Sequence, residues 1–286
     1  MDFLKSRSNS LSLVLKKVVR LYHPQYSGVA LVLFLVLLAI LSPILLPIEP
    51  VANYTSRLQP PSFRHCLGTD GLGRDILPLL FHGLRISLGL SLAAVGSGFV
   101  IGTSLGLMAG YARGGLDLLV GWITDILLAF PSILLAIAIA TFREPGLVST
   151  ALAVAIVQIP TFARLSRSVT LSARDQPFVD AVRALGASPL RILWTHILPF
   201  SLPPLIVQAT LAMGTATLEA AGLGFLGLSA QPPTPELGTM VADAFRNGYA
   251  LSAPWTILSP GLVIMLLVLS FTLLGDGLRD RLDPKT

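Results

Sequence analysis

Five stretches of this chain, 21–48, 86–112, 145–163, 192–218 and 247–275, contain no Asp, Glu, Lys or Arg, and a sixth, 118–142, contains only Asp125. A hydrocarbon core of about 30 Å is crossed by about 20 apolar helical residues, so each stretch predicts a membrane-spanning helix. Of the 286 residues 53% are hydrophobic and 12% are charged, and the mean hydropathy is +0.76. Soluble domains carry about 25% charged residues. The polar remainder here is too small to cover a water-facing surface, so a soluble globule is excluded. The sequence predicts an all-α membrane protein with six transmembrane helices.

The basic residues orient those helices, because short loops rich in Lys and Arg stay in the cytoplasm. Fourteen fall on the side of the two termini: Lys5, Arg7, Lys16, Lys17, Arg20, Arg113, Arg164, Arg167, Arg174, Arg183, Arg191, Arg279, Arg281 and Lys285. Six fall opposite: Arg57, Arg64, Arg74, Arg85, Arg143 and Arg246. Both termini are therefore predicted to be cytoplasmic. The expected organisation is a cytoplasmic segment 1–27, a first span 28–48, an external segment 49–85, a five-helix core 86–275 with a cytoplasmic loop 164–198, and a tail 276–286. The run from Gly28 to Ile48 exceeds a signal-peptide core and precedes no A-x-A site, so it reads as a retained span. A net charge of +5 does not point to nucleic acid, since the basic residues lie between apolar blocks. A single cysteine, Cys66, excludes an intrachain disulfide and a Cys-based zinc cluster.

Within the second span Gly98, Gly102, Gly106 and Gly110 repeat every four residues, a flat face suited to close helix packing in lipid. Two catalytic patterns arise by coincidence. Ser104 in Gly102-Thr-Ser-Leu-Gly106 sits inside an apolar run rather than at a strand-to-helix corner. The G-x-G-x-x-G of Gly222 to Gly227 has no strand before it. His65, Cys66, Asp70, Asp75 and His82 are potential ligands, but their spacing forms no tight metal pair, and no metal site is expected. Thr69 and Asp70 read instead as the start of a helix lying along the outer interface. Asp125 and Glu219 are costly within a span; a bond to a neighbouring helix's Ser, Thr or backbone is the expected role, ahead of a proton relay or substrate contact.

The cytoplasmic loop is patterned too regularly for a tether. Phe178, Val182 and Leu185 recur at helical spacing, Gly186 stops that helix, and Ser188-Pro189 starts another, continued by Leu190, Leu193, Trp194 and Ile197. Two helices around a glycine corner form a rigid knob suited to docking a soluble partner. This loop resembles the EAA motif of inner-membrane permeases of binding-protein-dependent ABC importers. Asp180, Ala181 and Val182 occupy its Glu-Ala-Ala positions, Gly186 its glycine, His196 its isoleucine, and Leu198 and Pro199 its ending. Asp180 keeps the charge, whereas Val182 and His196 depart from the pattern. The run His65-Cys-Leu-Gly-Thr-Asp-Gly-Leu-Gly-Arg-Asp75, the stretch Asp125 to Pro131, Glu219-Ala-Ala with Phe225-Leu-Gly-Leu228, and Gln231 to Pro235 resemble the C-type permease of the dipeptide, oligopeptide and nickel branch. Pro78-Leu79 depart from that branch's usual Ser-Arg.

The resemblance implies a type I importer permease of the bacterial inner membrane. It also implies a B-type permease partner, two ATP-binding subunits coupled through residues 178–199, and an external substrate-binding protein. Phe178, Asp180, Ala181, Val182, Leu185, Gly186, Leu198 and Pro199 are then the coupling residues, with Phe178, Val182 and Leu185 as the apolar anchor. ATP and magnesium belong to the partner subunits, and no cofactor is expected in this chain. Independently of the resemblance, no lysine follows a glycine, so the chain has no P-loop of its own. The rival reading, an ion-coupled secondary transporter, calls for inverted repeats with broken half-helices, and no convincing repeat is visible.

Overall fold

Charge-free runs become helices, and five of those helices overrun a charge that bounded a run in the sequence: Arg85, Asp117, Arg164, Glu219 and Asp276 all lie within helices. The computed structural model describes residues 24–47 and 54–282. The predicted segment 1–27 and the end of the tail therefore lie largely outside the described residues, as does the far end of the first span. Helix α1 is Pro24–Leu45, α2 Ile76–Ala112, α3 Gly114–Ala129, α4 Ser132–Thr141 and α5 Leu147–Arg174. On the cytoplasmic side α6 is Pro177–Ala184, and α7, Pro189–Ile192, runs through a π-helical turn, Leu193–Ile197, into α8, Leu198–Phe225. Helix α9 is Leu237–Arg246 and α10 is Trp255–Leu282. The predicted tail from 276 to 282 is the last part of α10. No β-strand occurs among the described residues.

Helices α1, α2, α5, α7 with α8, and α10 are each long and apolar enough to cross a membrane. The pair α3 and α4, bent by 96°, passes the same test only when its two helices are taken together, which brings the count to six. The predicted continuous stretch 118–142 is thus two helices. Pro131 has no N–H to donate and pushes Phe130 out of the helical region, to φ −87° and ψ 141°. Pro43, Pro160, Pro203, Pro204 and Pro260 lie inside other helices without ending them.

The separate interfacial helix expected after Thr69 and Asp70 is not present. Asp75 is the N-cap, accepting from the Leu77 N–H, and one 37-residue helix follows. Its first turns are buried at Ile76, Leu79 and Leu80 rather than laid on the interface. Asp70 instead closes a turn, accepting from the Leu72 and Arg74 N–H groups and from Arg74 Nε. The buried Thr69 accepts from the Gln59 N–H, and its carbonyl accepts from Trp255 Nε1. At Gly68, with φ +76°, a Cβ would lie 2.6 Å from the Gln59 carbonyl oxygen. The Gly-rich external run is a folded cap fixed to the start of α10.

Helices α2, α5 and α8 form the centre, with α10 packed on α8 and α1 on α10 and α2. The glycine row of α2 faces α5. A Cβ at Gly98 would lie 2.8 Å from Gln158 Cβ, at Gly102 2.5 Å from the Ile159 carbonyl oxygen, and at Gly110 2.9 Å from the Arg167 carbonyl oxygen. The core includes Ala94, Val95, Ala153, Val154, Phe162, Leu205, Ala212, Leu223 and Leu267. Leu33, Phe34 and Leu37 on α1 and Leu258, Leu262 and Met265 on α10 point outward, as a lipid-facing surface requires. Cys66 is exposed on the external cap. In intact spheroplasts it is expected to react with a membrane-impermeant maleimide, whereas Ala187→Cys, in a Cys66→Ser background, is expected to react only after permeabilisation. The reverse pattern would invert the topology.

Candidate functional site

The cytoplasmic knob has a hard interior. Val179 is fully buried with Leu107, Ala173, Ile192, Leu193 and Ile197, and Val182, Ala187 and Leu198 pack around them. Gln176 enters α6 in extended conformation and Pro177 starts it. Gly186 turns the corner at φ +81°, and the Ser188 hydroxyl caps α7 by accepting from the Arg191 N–H. The inward positions are therefore Val179 and Val182, three residues apart on one helix face. Leu185, expected to share that face, is 87% exposed. Phe178 leans on Phe200, with ring centroids 5.8 Å apart, and keeps a free edge. Asp180 and Ala181 point outward, and Asp180 pairs with Arg183 at 2.8 Å. Pro199 is exposed in the first turn of α8. The outward surface is thus Phe178, Asp180, Ala181, Leu185 and Gly186, joined by Leu190 and Trp194.

Three ion pairs join α3 and its N-cap residue Arg113 to α5 and its C-cap residue Asp175. Arg113 meets Asp175 at 2.8 Å, Asp117 takes Arg167 through both oxygens at 2.5 and 2.9 Å, and Asp125 meets Arg164. The partner of Asp125 is therefore an arginine, not the expected hydroxyl or backbone group. Arg164 and Arg167, assigned from the sequence to a loop, stand on α5, which continues to Arg174. The signal lay in the spacing. Asp117 and Asp125 are eight apart, two four-residue steps along α3, and Arg164 and Arg167 are three apart on α5.

Glu219 is buried in α8 and accepts from Gln158 Nε2 of α5 at 3.3 Å. Ser132, the first residue of α4, also interacts with its carboxyl group. A second buried acid, Glu236, escaped sequence reading. It caps α9 by accepting from the Gly238 and Thr239 N–H groups at 2.9 and 3.0 Å, and Ser87 of α2 donates to it at 3.2 Å. Burial pushes its carboxyl group up, and those three donors pull it back. Glu219 and Glu236 tie α8 and α9 to α5 and α2. Among the described residues no cluster of three His, Cys, Asp or Glu could hold a metal ion; His65 pairs with Asp75 at 3.3 Å, while His82 faces the Leu46 carbonyl oxygen.

Residues 102–286 match the family model of the binding-protein-dependent transport system inner membrane component. The chain belongs to that family. It is 50% identical over 259 residues to the dipeptide transport system permease protein DppC of Alkalihalophilus pseudofirmus, covering 90% of this chain and 84% of that one. It is 44% identical over 265 residues to DppC of Haemophilus influenzae, with 90% and 89% covered. Over 268 residues it is 44% identical to the glutathione transport system permease protein GsiD of Escherichia coli, with 93% and 88% covered. A chain of the inward-facing MetNI methionine ABC transporter shares the fold, with a TM-score of 0.59 at 24% identity over 72% of this chain and 97% of that one. This permease is a multi-pass protein of the bacterial inner membrane and a transport component. Its membership sets aside the ion-coupled alternative.

Proposed function

We propose that this permease forms half of the translocation path of an ATP-driven importer of peptides or related small solutes. It pairs with a B-type permease, two ATP-binding subunits dock on the knob of α6 and α7, and an external binding protein delivers the cargo. ATP and magnesium are held by the ATP-binding subunits, and this chain supplies no cofactor site. The supporting observation is the build of the knob. Val179 and its neighbours make a packed base, so a push on the exposed Asp180 to Leu185 face passes into α8 instead of being absorbed by the loop. The dipeptide and glutathione permeases among its relatives support small peptides as cargo.

The test is reconstitution. Purified alone, the chain is expected to hydrolyse no ATP; with its partner permease and ATP-binding subunits, hydrolysis is expected to rise several-fold when loaded binding protein is added. Turnover by the isolated chain, after contaminants are removed, would refute the assignment.

A further inference from the structure

One edge of α5 is left uncovered by the rest of the chain. Leu152, Ile156, Arg164, Ser168 and Ser172 are exposed and stand at multiples of four residues, a single row along the helix, with the buried Pro160 at the missing step. The row changes chemistry at that proline. Its outer part is apolar, and its cytoplasmic part is an arginine followed by two serines. Lipid offers no partner for such groups, and the lipid-facing edges of α1 and α10 are apolar at Leu33, Phe34, Leu37, Leu258, Leu262 and Met265. Across from the row stands Asp125 of α3, and the Asp125 and Arg164 side chains are 68% and 56% exposed. At 1.5 Å per residue, Arg164 lies about 15 Å from the cytoplasmic end of α5 at Arg174. A half-exposed ion pair on an edge that no other helix of this chain covers is best satisfied with water beside it.

We propose that Asp125, Arg164, Ser168 and Ser172 form one wall of a water-filled vestibule, the cytoplasmic half of the path through which solute leaves. The proposal rests on the transport reading above. Arg164 is held by Asp125, so its guanidinium stays along the wall and does not project across the opening.

Cysteine accessibility in the assembled transporter tests this. In a Cys66→Ser background, Ser168→Cys, Ser172→Cys and Leu152→Cys are made separately, with Ala112→Cys, exposed at the cytoplasmic end of α2 and away from the knob, as reference. Inside-out vesicles are treated with a cationic, membrane-impermeant methanethiosulfonate. Ser168→Cys and Ser172→Cys are expected to react within tenfold of the Ala112→Cys rate, and Leu152→Cys at least a hundredfold more slowly. If both serine variants react with a membrane-permeant maleimide but not with the charged reagent, the row faces lipid or the partner permease and the proposal is overturned. ATP-dependent uptake of a radiolabelled dipeptide by cells carrying the same variants separates the two readings. No uptake with the Cys66→Ser parent tells against the transport reading, whereas uptake with both serine variants unreactive overturns the vestibule alone.

Discussion

Gly106→Leu is expected to cut the amount of folded permease in membranes at least fivefold. The Cβ it adds would overlap the Ala163 carbonyl oxygen and lie 2.8 Å from both the Arg167 nitrogen and Ser166 Cβ, so backbone rather than a pliable side chain blocks it. Helices α2 and α5 must then separate. Overpacking costs about 1–3 kcal/mol where a core can relax, and more where it meets backbone. Separation also breaks the hydrogen bond from Ser166 to the Thr103 carbonyl oxygen, 3.0 Å, and moves Arg167 away from Asp117. Within lipid no hydrophobic force restores the contact, because dispersion between close backbones is what holds such helices. Gly96→Leu is the control: it lies on the same helix with nothing within 4 Å of an added Cβ, and its level is expected to stay near wild type. Membrane-fraction blots and detergent melting curves of the two variants make the comparison. Equal losses would show that bulk on α2, not the α5 contact, is responsible.

The second large effect is expected at the knob. Gly186→Val should lower uptake at least tenfold while insertion is retained. An added Cβ meets nothing within 4 Å there, so the strain comes only from φ +81°. A left-handed residue other than glycine costs about 1–2 kcal/mol, with β-branched side chains worst and asparagine well tolerated. Gly186→Asn is therefore expected to keep most of the uptake, and the contrast between Val and Asn isolates the corner angle. Asp180→Arg is the companion substitution. Among the described residues Asp180 pairs with Arg183 on the exposed face, and exposed pairs contribute about 0–1 kcal/mol, too little to unfold the chain. Loss of uptake with normal expression then places the defect in the contact with the ATP-binding subunit. Uptake, ATP hydrolysis and co-purification measured on one preparation distinguish detachment from uncoupling. Wild-type uptake in both Gly186→Val and Asp180→Arg would remove the knob from the coupling mechanism.

Reading charges along the chain locates where helices cross but misplaces where they end. Arg85 bounded the second run at 86, yet α2 begins at Ile76, because an exposed arginine on one side of a helix leaves the other side free to bury Leu79, Leu80 and Leu84. Arg164 bounded another run, yet α5 continues to Arg174, since carboxylates on α3 meet Arg164 and Arg167. Those partners are remote in sequence, and only the fold brings them together. The break at Pro131 had a local signal, the exclusion of the preceding residue from helical angles. At the knob, Phe178, Val182 and Leu185 fit helical periodicity as well as Val179 and Val182 do. Eight residues contain too few turns for periodicity alone to choose the buried face, which is set by contact with Leu107, Ile192 and Ile197. Glu236 gave no warning, because a carboxylate beside a Pro-rich loop reads as solvated until α2 and α9 close over it.

The seating of α1 bears on how the protein is made. Gly28 lies so close to α10 that an added Cβ would be 2.5 Å from the Leu274 nitrogen, and the inward side of α1 includes Leu35 and Ala39. The ribosome delivers this first helix more than two hundred residues before its partner. Until α10 follows, the other main contact of α1 among the described residues is with α2. A chain truncated before Trp255 therefore carries every central helix yet leaves the side of α1 that seats against α10 unpacked.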